Sequence, residues 1–142
     1  MIHKTEFCIR TFHTDAFGHI NNARYLELLE EARWQFAEKI GLIPLLRSSQ
    51  LGFIIMDLKI RFRLPVTEGD RIWVSTQLVT LGSASGEVLQ KVTVGQDSKM
   101  ATRCMSHFIL IDRCDNKSVP IEGEIRDCLL EIMAPEGSKL VG

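Results

Sequence analysis

The feature that most limits what this chain can fold into is an abrupt change of hydrophobic period. From Asn22 to Ile40 the apolar residues Tyr25, Leu28, Leu29, Ala32, Phe36 and Ile40 recur at steps of three and four, in a segment rich in Glu, Ala, Leu and Arg. That spacing predicts one long amphipathic helix, about 28 Å from end to end at the usual rise per residue. Asn21 or Asn22 can cap its start, and Gly41 sits where a left-handed residue would end it. After Gly52 the pattern turns to β, in runs at 53–64, 71–81, 87–95 and 99–112. The breaks between them, PVTEGD, GSASG and GQDS, are too short for helical crossovers, so these strands should be antiparallel neighbours. A looser alternation over 2–12 predicts a further strand before the helix. EGEIRDCLLEIM at 122–133 predicts a short terminal helix, with Ile125, Cys128, Leu129, Ile132 and Met133 on one face and Pro135 just beyond. The order is that of an α+β domain in which one long helix lies against a curved antiparallel sheet of about five strands. At 142 residues this is a single domain spanning 1–142, of which only the last eight residues look dispensable.

Charge and cysteine content exclude several function classes. Lys and Arg number 17 against 18 Asp and Glu, so no basic excess is available to neutralise nucleic acid phosphates. Cys8, Cys104, Cys114 and Cys128 form none of the close pairs of zinc or dithiol sites. The N-terminal segment carries Lys4, Glu6 and Arg10 where a signal peptide needs an apolar stretch, so reduced thiols in a cytoplasm are expected. No apolar run approaches the length that crosses a bilayer, so no membrane partner is expected.

The chemistry-bearing residues cluster where the period changes. Asp15 stands three residues before Gly18 and shortly before the long helix, a spacing that lets one loop hold a carboxylate beside a helix N-terminus. The carboxylate could attack a carbonyl or deprotonate a water, while a backbone N–H near Asn22 polarises the carbonyl oxygen. The plainer reading, in which Asp15 only satisfies backbone amides in a turn, stays open on composition alone.

The run Asp15, Gly18, His19, Asn21, Asn22, Tyr25 within TDAFGHINNARYLELLEEARW resembles the signature of hotdog-fold acyl-CoA thioesterases of the 4-hydroxybenzoyl-CoA thioesterase type. It is most similar to the bacterial long-chain acyl-CoA thioesterase branch, and the resemblance extends over residues 5–132, including RFRLPVTEGD and the FILID strand. It implies a sheet wrapped around the long helix, and a homodimer or homotetramer with active sites between subunits. It implies acyl-CoA as a small-molecule substrate and no metal or organic cofactor. By it, Asp15 is the catalytic carboxylate, His19 a polar contributor, the Asn22 N–H the oxyanion donor and Tyr25 a further catalytic residue, with Gly18 and Asn21 at the substrate. Ala16 and Phe17 stand where many relatives carry Tyr or Cys, which leaves the acyl preference open. Hydrolysis of an aryl-CoA or an acyl carrier protein thioester, and non-catalytic acyl binding, are the alternatives.

Four further groups could carry chemistry. On the predicted strand 58–64, Lys59, Arg61 and Arg63 share one face and Leu58, Ile60, Phe62 and Leu64 the other. The cations, with Lys91, could meet the phosphates of coenzyme A, or form a solvated sheet face. His13, Asp15 and His107 follow the ligand order of an iron facial triad, but a long helix starts too soon after them for the jelly roll that carries one. Glu30 and Glu31 on the helix read as supporting residues, with Glu31 in reach of Arg24 or Gln35. Ser83–Gly86 lacks the pattern of a phosphate loop and reads as a hairpin turn.

Overall fold

Both sequence periods appear as regular structure in a computed structural model, which describes residues 1–133. Strand β1 is His3–Cys8, helix α1 Asn22–Lys39, helix α2 Leu42–Ser48 and strand β2 Leu51–Phe62. Strands β3 (Arg71–Leu81), β4 (Ser85–Val94) and β5 (Lys99–Asp112) form a meander, and helix α3 is Gly123–Ile132. The strand order is β1-β3-β4-β5-β2, with every neighbouring pair antiparallel. This is the α+β layout that the sequence predicts, with the hotdog arrangement of a helix against a curved sheet. Pro135 and the eight terminal residues lie outside the described residues.

Three boundaries differ from the sequence reading. The N-terminal strand stops at Cys8, and Thr11–His13 forms a short 3-10 turn instead of continuing it. Helix α2 occupies a stretch that carries Pro44 and follows Gly41. Proline is tolerated there because the first-turn N–H has no intrahelical acceptor, and Gly41 at φ +76° turns the chain from α1 into α2. Strand β2 ends at Phe62, where the N–H groups of Arg63 and Leu64 both donate to Ala101 O. Arg63 therefore leaves the strand face on which the alternation placed it.

The core forms on the inner side of the sheet. Tyr25, Leu28, Leu29 and Ala32 of α1 are buried against Ile72, Val74, Val92 and Cys104. A second cluster joins Phe36, Leu42 and Leu46 to Leu110, Ile121, Ile125 and Leu129, and so ties α2 and α3 to the far end of the sheet. All four cysteines are free. Gly86 is a close-approach position: a Cβ there would lie 2.5 Å from the Phe108 ring and 2.8 Å from Thr80 O. Helix α1 packs against β1 and β3, and between α1 and β2 runs a groove of about 900 Å³.

Candidate active site

The loop from Arg10 to Asn22 is held by its own backbone. The Asp15 N–H donates to His19 O, the Gly18 N–H to Asp15 O and the Asn21 N–H to His13 O. Gly18 closes the turn at φ +79°, a conformation that costs glycine little and other residues more. The loop is also fastened to the β2–β3 connection, where the Ile20 N–H donates to Val66 O at 2.8 Å.

Within this turn Asp15 does what the plainer sequence reading asks, with one of its two oxygens. Oδ1 accepts from the Phe17 N–H at 2.9 Å and from the His19 N–H at 3.3 Å. Oδ2 has no hydrogen bond among the described residues, and the side chain is exposed. One oxygen is thus held by the fold, and the other keeps its lone pairs for a substrate or a water. Asn21 caps α1, its Oδ1 accepting from the Ala23 N–H at 2.8 Å. The Asn22 N–H then has no hydrogen-bond partner among the described residues, at the positive end of an 18-residue helix.

Two histidines flank the carboxylate in different ways. The His19 ring is exposed and makes no hydrogen bond among the described residues, while its backbone holds Asp15. His13 accepts from the Arg10 N–H through Nδ1 at 2.8 Å. Burial pushes its pKa below the ordinary 6.5, as do the charges of Arg24 and Arg10, with Glu27 opposing them. Phe12 and Phe17, both well exposed, stand on either side of the turn.

Tyr25 is not at the loop surface. It is 4% exposed, its ring packs on Phe62 with centroids 5.3 Å apart, and its hydroxyl faces Thr102 without a well-formed hydrogen bond. Burial raises its pKa, so it remains a neutral phenol. The side chain thus lies on the core side of α1, deeper than its place in the motif suggests. Of the helix acids, Glu27 pairs with Arg24, Glu31 accepts from Gln35 and Glu30 accepts from the Trp34 Nε1–H.

The cations need a partial correction. Lys59 and Arg61 are exposed and alternate with Leu58 and Ile60, which pack on the core, so they stand on the sheet face away from α1. Register aligns Arg61 with Arg103 and Arg103 with Lys91 across three strands. Burial, then Arg103, lowers the Lys91 pKa. Arg103, the middle member of this row, is missing from the sequence reading, because it is recognised only once β5 is set beside β2. Phe62 and Leu64, expected on an apolar buried face, are exposed because they flank the open edge of the sheet.

His107 belongs elsewhere too. Its Nδ1 lies 3.5 Å from Asp57 Oδ2 across the β2–β5 pairing, on the outer face of the sheet. Among the described residues no three His, Cys, Asp or Glu side chains are arranged to hold a metal, so the triad reading has no assembled site.

The groove between α1 and β2 is lined on one side by Leu26, Trp34 and Ala37 and on the other by Phe53, Ile55 and Leu58, with Phe108 at its floor. Its volume is in the range of small-molecule sites. Leu26 and Trp34 are partly exposed along it, as are Ile54 and Met56 on the unpaired edge of β2.

Comparison with known proteins agrees with this geometry. The family model described as thioesterase-like superfamily matches residues 9–129. The chain is 31% identical over 130 residues to a protein named long-chain acyl-CoA thioesterase FadM from Escherichia coli (strain K12), covering 92% of this chain and 98% of that one. The crystal structure of YbaW, a probable thioesterase from Escherichia coli, superposes with a TM-score of 0.84 at 30% identity, over 92% of this chain and 98% of its own. A 1,4-dihydroxy-2-naphthoyl-CoA thioesterase from Synechocystis, Slr0204, shares the fold at TM-score 0.82 and 15% identity, over 95% of this chain and all of its own. Motif, architecture and likeness over nearly the whole length converge: the chain belongs to the thioesterase-like superfamily and is a hotdog-fold thioester hydrolase.

Proposed function

We propose that the protein hydrolyses fatty acyl-CoA to the free acid and coenzyme A, with Asp15 as the catalytic carboxylate. The observation that carries this reading is the division of labour within Asp15: Oδ1 is fixed by two loop amides, while Oδ2 makes no hydrogen bond among the described residues, in the loop that leads into the N-terminus of α1. A thioester whose carbonyl oxygen accepts from the Asn22 N–H presents its carbon to Oδ2 or to a water that Oδ2 activates. In the second route water oxygen bonds to the acyl carbon, its proton passes to Asp15, the C–S bond breaks and the departing sulfur takes that proton. In the first route Oδ2 bonds to the acyl carbon as the C–S bond breaks and the coenzyme A thiolate leaves; water then opens the mixed anhydride to the free acid and the Asp15 carboxylate, and the thiolate takes the proton that this water gives up. Gly18 and Asn21 shape the loop around the carbonyl, and His19 offers a polar ring at its rim.

The apolar α1–β2 groove suits an acyl chain, and the row Arg61–Arg103–Lys91, with Lys59, suits the coenzyme A phosphates. Within one chain this row faces away from the Asp15 side. Pairing of β2 with the β2 of a second copy would cover the unpaired edge and its exposed Ile54 and Met56. A homo-oligomer with active sites between subunits would then bring the phosphate row of one copy toward the loop of the other. The name of the FadM relative and the groove's largely apolar lining favour long acyl chains over aryl groups, and a cytoplasmic location follows from such a substrate. The direct test is thiol release from a series of acyl-CoAs, with an aryl-CoA and an acyl carrier protein thioester beside them. Turnover rising with chain length supports the reading, and binding of acyl-CoA without any thiol release overturns it in favour of an acyl-binding protein.

A further inference from the structure

Arg33 lies in the wall of the α1–β2 groove, whose mostly apolar lining also holds Glu27, Glu30 and Glu38 of the same helix and Arg47 and Arg113. Its guanidinium carries five N–H donors and stays charged at neutral pH. One donor, Nη1, reaches Gln90 Oε1 at 3.0 Å, and among the described residues no carboxylate oxygen lies within 4.0 Å of it.

Gln90 fixes that arrangement. It is fully buried beneath α1, and its Nε2 donates to Leu29 O at 2.9 Å and to Thr76 Oγ1 at 3.1 Å. A backbone carbonyl only accepts and a guanidinium only donates, so the amide can face the two in one orientation alone. Arg33 is therefore anchored through a buried amide to the helix backbone and a neighbouring strand. A half-buried cation with a single neutral partner is an unfavourable arrangement that an oxygen acceptor in the groove would relieve. Glu30, one turn earlier, acts on Arg33 from beyond 4.0 Å and is turned to the Trp34 Nε1–H at 3.4 Å. Along the helix Arg33 stands about 16 Å from Asn22, far from a thioester carbonyl held at the helix start.

We infer that the protein favours acyl chains that carry an oxygen acceptor, a carboxylate above all, at the end remote from the thioester, with Arg33 binding that oxygen and Gln90 positioning Arg33. This rests on the thioesterase reading, and the experiment separates the two. The wild-type protein is given dodecanoyl-CoA, 12-hydroxydodecanoyl-CoA and the mono-CoA thioester of dodecanedioic acid. The dioic thioester should show a kcat/KM at least about tenfold above dodecanoyl-CoA, as expected of a charge-assisted contact, with the hydroxy chain between them. In Arg33→Gln the ratio should fall to near one, and in Gln90→Leu it should fall severalfold. Free dodecanedioate should also raise the Tm of the wild type more than dodecanoate does, a readout that needs neither catalysis nor a variant. Equal kcat/KM for the dioic and plain thioesters, or a ratio that persists in Arg33→Gln, overturns the inference. If no thioester is hydrolysed, the enzymatic reading fails and the Tm comparison alone decides, equal shifts overturning the role of Arg33.

Discussion

Asp15→Asn separates the structural duty of this side chain from its chemical one. Asparagine keeps an oxygen at the Oδ1 position, so the bonds from the Phe17 and His19 N–H groups can persist, and the turn that sets up the start of α1 should survive. The loss is a charged acceptor becoming a neutral one in an exposed loop, about 1 kcal/mol or less. That corresponds to a Tm change of a few degrees in a domain of this size. At the other oxygen the change is total, since an NH2 group can neither attack a carbonyl nor take a proton from water. Removing a general base or nucleophile lowers kcat by about a hundredfold or more, which is about 2.7 kcal/mol of barrier. The assay is thiol release at saturating acyl-CoA, followed with a thiol reagent, with the Tm of the variant measured alongside. A variant with near-native Tm and more than about a third of wild-type turnover has lost far less than that barrier. In that case Asp15 is a turn residue and the catalytic assignment fails.

Gly86→Ala should lower stability by about 1–3 kcal/mol in denaturant titrations, because the added methyl meets both the Phe108 ring and Thr80 O; unchanged stability would mean the sheet yields there at no cost. Arg61→Ala should raise KM for acyl-CoA severalfold with kcat nearly intact, less so at high salt and not at all for an acyl-pantetheine that lacks the phosphates; an equal loss on both substrates removes Arg61 from the phosphate row. Because the fold depresses the His13 pKa, the unfolded chain takes up the proton first, so stability is level above about pH 6.5 and falls as pH drops below it. His13→Asn, which keeps an acceptor for the Arg10 N–H, should flatten that decline in unfolding midpoints measured between about pH 5 and 7. Sedimentation at micromolar concentration should show a dimer or tetramer, and a species of single-chain mass alone would remove the intersubunit site.

What the sequence made legible was whatever a local pattern encodes. Strands β3 and β5 begin and end where their alternation does, and the stripe of α1 from Tyr25 to Phe36 is the buried stripe of the helix. Asp15, Gly18 and the Asn21 cap were readable because loop, turn and helix start are contiguous in the chain. Pairing was not: Arg103 joins Arg61 and Lys91 only through register, and Arg33 meets Gln90 across 57 positions. Tyr25 misled because its place in the motif says nothing about depth, and its side chain lies on the core side of α1. Helix α2 was missed because Gly41 and Pro44 carry strong loop signals, which the capping position and the first turn of a helix accept as readily.

The strand order has a consequence for how the fold is reached. Strands β3, β4 and β5 are joined by tight connections and can zip together from local encounters, whereas β1 and β2 must wait for the meander before they have an edge to join. Residues 51–62 find their partners about fifty positions downstream, and His3–Cys8 find theirs more than sixty positions downstream, so both strands dock across long loops and form late. One of these late pieces, β2, is also a wall of the α1–β2 groove. A bound chain that spans α1 and β2 would therefore fasten a late-docking strand, so that substrate occupancy and completion of the fold reinforce each other.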